Sequence, residues 1–74
     1  MSAEAVSFQK SLGVRVRSLR TAAGYSQEGF ADACGLHRTH ISMLERGLLD
    51  PKISTMCKLA TVLKIEVSEL LKGF

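Results

Sequence analysis

The sequence predicts an all-α fold, a compact domain of five short helices. Three observations predict it. Apolar residues recur at spacings of three and four along most of the chain, the repeat of one helical face, and no two-residue alternation persists. Gly24, Gly35, Gly47 and Pro51 punctuate the chain at intervals that leave helices joined by short loops. The 74 residues are 46% hydrophobic, enough for one small core and outside the composition of disordered chains.

Each element follows in order. Residues 1–6 are expected to form a flexible arm. The first helix is predicted from Ser7 to Ala23, where Phe8, Leu12, Val16 and Leu19 make an apolar stripe. Gly24 closes it, as glycine does just past a helix C-terminus. The second helix is predicted from Ser26 to Cys34. The Ser26 hydroxyl can accept from an orphan amide of the first turn. Phe30, Ala31 and Cys34 share its inner face. The third helix is predicted from His37 to Arg46, with Leu36, Ile41 and Leu44 inward and Gly47 at its end. After Leu48-Leu49-Asp50 and Pro51, a fourth helix is predicted from Ile53 to Leu63, burying Ile53, Met56, Leu59, Ala60 and Leu63. A short fifth helix is predicted from Val67 to Lys72. Residues 7–74 then make a single domain, with no internal repeat or low-complexity segment.

The stretch Ser26 to Gly47 carries the functional information. Two short helices meet at Gly35, where a positive φ is free of the Cβ clash, and small Ala31 lets the helices cross closely. This is the footprint of a helix-turn-helix, made here by helices 2 and 3, the unit that sets a recognition helix into the DNA major groove. With the buried positions of helix 3 subtracted, His37, Arg38, Thr39, Ser42, Met43 and Arg46 remain outward. Arg38 is the first candidate for base readout. Its planar fork can donate to O6 and N7 of one guanine, a contact worth about 1–3 kcal/mol of discrimination. Thr39 offers a hydroxyl and a methyl to a neighbouring base. Ser42 and Met43 lie one turn later, and Met43 offers only apolar contact. The bland alternative for all four is a solvated helix face.

Phosphate contacts position a protein on the duplex. Arg46, Lys52 and Arg17 are candidates by charge. His37 and His40 can donate to phosphates, more strongly when protonated. Gln27 opens helix 2, where free amides and the helix dipole favour an anion.

Gln27, Ala31, Gly35, Ile41, Leu44 and the ending Glu45-Arg46-Gly47 resemble the Cro/cI-type (phage-repressor, XRE) helix-turn-helix family. Leu12 through Arg20, Gly24 through Glu28, Asp50 through Ile53, and Leu59-Ala60 are similar to the family at the flanking helices, so the resemblance spans roughly residues 10 to 72. The segment Arg38-Thr39-His40-Ile41-Ser42 also resembles the recognition helices of restriction–modification controller proteins. The resemblance implies a lambda-repressor-like DNA-binding domain. It implies a homodimer on a pseudo-palindromic operator, acting as a repressor or activator and touching RNA polymerase where it activates. It also implies that Gln27 holds a backbone phosphate and that Arg20 pairs with Glu45 to lock helix 3 to the body. The dimerisation region would lie at about 63–74, with Ile65, Val67, Leu71 and Phe74 at the interface. The alternatives are a phage-type repressor, or an antitoxin that masks a partner protein through its apolar patches.

The chain departs from the family at three places. Gly29 sits inside helix 2, at a cost of roughly 0.5–1 kcal/mol against a helix former. Leu48 and Leu49 stand where basic or polar residues are common. Lys52 replaces the usual Ser/Thr cap of the fourth helix, leaving Ser54 as a substitute.

Composition excludes other classes. The net charge of +3 is compatible with nucleic acid without demanding it. Cys34 and Cys57 form no CxxC motif and read as reduced core thiols of a cytoplasmic protein. Residues Met1 to Ser7 lack the pattern of a signal peptide, and no window approaches a membrane span. The seven acidic residues are scattered, and no nucleophile–base set, phosphate loop or metal-ligand cluster stands out. No enzyme activity, cofactor, metal or small-molecule ligand is therefore expected; the partner expected is double-stranded DNA.

Overall fold

The computed structural model describes residues 2–73. The described residues form five helices joined by short loops: α1 (Ala3–Ala22), α2 (Gln27–Cys34), α3 (Arg38–Glu45), α4 (Ile53–Leu63) and α5 (Val67–Leu70). Helix α1 begins four residues before its expected start. Ser2 caps it, its hydroxyl accepting from the Ala5 amide at 3.2 Å, and Glu4 favours the positive end of the helix dipole. The segment expected as a flexible arm is thus helical from Ala3 to Val6, and Met1 lies outside the described residues. Helix α5 is shorter than expected, because residues 71–73 turn away and Gly73 takes a φ of +90°.

Helix α3 packs on α1 and α2, α4 packs on α2, and α5 closes the bundle against α1 and α4. Phe30, Leu12, Ile41, Leu59, Leu70 and Val16 fill the centre, with Ala31, Cys34, Leu44 and Met56 around them. The Tyr25 ring leans on Phe30, centroids 5.6 Å apart and tilted by 51°. Helix α5 is held by fully buried Leu70 and by Arg15 of α1, whose Nη2 donates to the Glu69 carbonyl at 3.0 Å. No helix among the described residues is long and apolar enough to cross a membrane.

Three expected core positions are not in the core. Ile53 is 71% exposed, the most open of the large apolar side chains among the described residues. Helical Cα–Cβ bonds tilt toward the N-terminus, so a first-position side chain overhangs the helix end instead of covering the body. Thr55 is buried in its stead. Phe8 is 37% exposed, because it lies N-terminal to the part of α1 that meets α3. Cys57 is exposed, one position around from the buried face made by Met56, Leu59 and Ala60.

Candidate nucleic-acid interface

The turn between α2 and α3 is three residues long. Gly35 adopts the left-handed conformation at φ 69°, and the Leu36 amide closes back onto the Ala31 carbonyl at 2.9 Å. Ser26 caps α2, its hydroxyl accepting from the Gly29 amide at 3.0 Å. A Cβ at position 29 would lie 3.1 Å from that hydroxyl, so the glycine that costs helix propensity leaves the cap undisturbed.

Helix α3 is amphipathic. Ile41, Leu44 and Glu45 are buried, while Arg38 and Thr39 stand exposed in the first turn. His37 is the N-cap, not a helical residue: its Nδ1 accepts from the Thr39 amide at 3.2 Å. Accepting there requires an unprotonated Nδ1. Ser42 and Met43 are half-buried, and exposed Arg46 folds back so that Nε donates to the Ser42 carbonyl at 3.4 Å.

The opposite side of α3 is fixed by a buried polar cluster. Arg20 Nε and Nη2 donate to the two oxygens of Glu45 at 2.6 and 3.0 Å, and Nη1 donates to the Tyr25 carbonyl at 2.8 Å. Only 8% and 3% of the two side chains is accessible. The hydrogen bond to Glu45 raises the Arg20 pKa above its ordinary value against the opposing effect of burial. Gln27 joins the cluster, Nε2 donating to Glu45 Oε1 at 3.1 Å. One of its two amide hydrogens is therefore committed inward, and the second is free for an outside acceptor.

Two glycines bring α3 against α1. A Cβ on Gly13 would sit 2.5 Å from the Glu45 carbonyl oxygen and 2.6 Å from that of Leu44. A Cβ on Gly47, whose φ is +71°, would sit 2.8 Å from the Lys10 Cα. Backbone therefore meets backbone where the recognition helix ends. Sequence reasoning missed both contacts, although Gly13, an isolated glycine inside a helical pattern, signals a packing role.

Of the remaining cationic candidates, His40 and Lys52 share a shallow groove that also takes in Ser54 and Lys58. Lys58 lines the same groove from the second turn of α4, a position that the sequence pattern does not mark. Arg17 is exposed on α1. Lys52 is the N-cap of α4 and no side chain caps the helix, so Ser54 does not substitute. Ile65 and Leu71 are half-buried and pack against the core, and Val67 is half-buried on α5. Phe74 lies outside the described residues. Among the described residues no three His, Cys, Asp or Glu side chains gather as metal ligands would.

A short helix held rigidly from behind, with an arginine and a threonine open in its first turn, defines a DNA-binding helix-turn-helix protein. Comparison with known proteins gives the family. Residues 16–70 match the model of the helix-turn-helix family HTH_3, and the chain belongs to that family as a DNA-binding regulator. It is 42% identical over 60 residues to the Control protein C.SmaI of Serratia marcescens, covering 81% of this chain and 71% of that one. It is 38% identical over 61 residues to the SPbeta prophage-derived uncharacterized HTH-type transcriptional regulator YonR of Bacillus subtilis, covering 82% of this chain but 56% of that one. The fold superposes on the crystal structure of the restriction-modification controller protein C.AhdI from Aeromonas hydrophila with a TM-score of 0.85 and 42% identity, covering 88% of this chain and 94% of that one.

Proposed function

We propose that this chain is a homodimeric transcriptional regulator that binds an inverted-repeat operator through the major groove, and that it serves a restriction–modification system as a controller protein. The observation that carries the proposal is the exposed first turn of α3 on a helix immobilised by the Arg20–Glu45–Gln27 cluster. In this proposal Arg38 donates its fork to a guanine, Thr39 contacts the adjacent base, and Ser42 and Met43 extend the contact by one turn. Gln27, His37, His40, Arg46, Lys52 and Arg17 hold phosphates on either side. Likeness to C.SmaI and, over nearly its whole length, to C.AhdI supports the controller role.

A single small domain offers one half-site, and two copies would read two half-sites about one helical turn apart. The half-buried Ile65, Val67 and Leu71, with Phe74 beyond them, are the proposed dimer surface. Regulation then follows from operator position. Overlap with a promoter represses, and placement just upstream brings the dimer to RNA polymerase.

Selection of random duplex DNA by the purified protein at near-physiological salt tests the proposal. An enriched inverted repeat bound by two chains supports it. Enrichment of a single half-site bound by one chain rejects the dimer. Weak, salt-sensitive retention without enrichment rejects sequence-specific binding.

A further inference from the structure

Two thiols take no part in the recognition helix or in the cluster behind it. Cys34 is the last residue of α2 and only 7% exposed, whereas Cys57 stands one turn into α4 and is open to solvent. The two helices pack directly on one another. Both cysteines line a single small groove, together with Ala33, Lys58, Thr61 and Val62. We propose that Cys34 and Cys57 form a redox modification site, in which a low-molecular-weight disulfide is attacked by Cys57 and the adduct is resolved by Cys34 to leave a disulfide between α2 and α4.

Exposure sets the order. A small disulfide reaches Cys57 from solvent, while Cys34 is buried at the edge of the same groove. The Cys57 thiol gives up its proton and its sulfur attacks one sulfur of the reagent. The reagent's S–S bond breaks and one thiolate leaves, taking up a proton as a free thiol. The Cys34 thiol then loses its proton and attacks the Cys57 sulfur, expelling the second thiolate. Two protein thiols are oxidised and one small disulfide is reduced to two thiols. Lys58 lines the same groove, and its positive charge eases ionisation of Cys34 against the burial that opposes it. The resulting covalent loop would enclose all of α3, since the recognition helix lies between the two cysteines in sequence.

Oxidised glutathione added to the native protein, followed by acid quenching and intact-mass analysis, tests the site. The expected product is a single chain lighter by two hydrogens with no free thiol, restored by dithiothreitol. Cys34→Ser should stop at one glutathione on Cys57, and Cys57→Ser should not react, with both variants checked for native helicity by circular dichroism. A wild-type chain that keeps the glutathione, stays unreacted or couples to a second chain would overturn the proposal. Glutathione on Cys34 of Cys57→Ser would overturn the order of attack.

Discussion

Replacing Glu45 with alanine removes the carboxylate that holds the recognition helix to the domain. Three hydrogen bonds go with it: two from Arg20 and one from Gln27. The Arg20 side chain is only 8% accessible, so its charge is stranded with the Tyr25 carbonyl as its one remaining partner. Removing one member of a buried pair costs about 3–5 kcal/mol, well above the roughly 0–1 kcal/mol of an exposed pair. A 74-residue domain has roughly 4–11 kcal/mol of total stability, so the loss is a large fraction of the whole. At about 4–8 °C per kcal/mol for a domain this size, even a loss of about 3 kcal/mol lowers the melting temperature by roughly 12–24 °C. Thermal denaturation followed by circular dichroism reads this directly. The double variant Arg20→Ala/Glu45→Ala should lose less than the two single losses added, because no charge is left buried alone. A fall of less than about 4 °C for Glu45→Ala would refute the lock, since that is the size of a surface pair.

Substitutions at three other positions probe separate features. Gly13→Ala should destabilise by about 1–3 kcal/mol in a denaturant titration, because the new methyl meets the Leu44 and Glu45 carbonyls, which are backbone and cannot rotate aside. His37→Ala should cost about 1 kcal/mol by removing the cap on α3, with His37→Asn recovering most of it; equal stability of all three proteins would remove the cap. Burial pushes the Cys34 thiol above its ordinary value of 9.0, while Lys58 pulls weakly the other way. The unfolded chain therefore ionises Cys34 first. Its contribution is fully present below pH 9.0 and is lost as pH rises toward the folded value, so wild-type stability should fall more steeply there than that of Cys34→Ala. Parallel alkaline slopes in the two melting series would contradict this.

Much of the fold is legible because local chemistry agrees with tertiary need. Gly35 has to be left-handed where α2 ends, Ser26 is placed to cap, and Pro51 precedes an apolar repeat whose bounds, Ile53–Leu63, match the expected helix. Helix α1 starts before the expected Ser7 because Ser2 caps it, and the apolar stripe gives no sign of that extra turn. Ile53 and Phe8 satisfy the helical repeat yet keep 71% and 37% of their surface exposed. Periodicity gives a face but not how far along the helix its partner reaches. At the site, the outward position of Arg38 and Thr39 follows from subtracting buried neighbours. The commitment of Gln27 to Glu45 and the approach of Gly13 to α3 join residues far apart in sequence, and only the assembled fold brings them together.

The central claim is that the first turn of α3 reads bases, and Arg38 is its sharpest case. Equilibrium binding of wild type and Arg38→Ala to the selected duplex, and to every single-base variant of one half-site, tests it most directly. Wild type should lose about 1–3 kcal/mol at one G·C position, and Arg38→Ala should bind all four bases there alike while keeping its preferences elsewhere. Unchanged discrimination at every position in Arg38→Ala would contradict the claim.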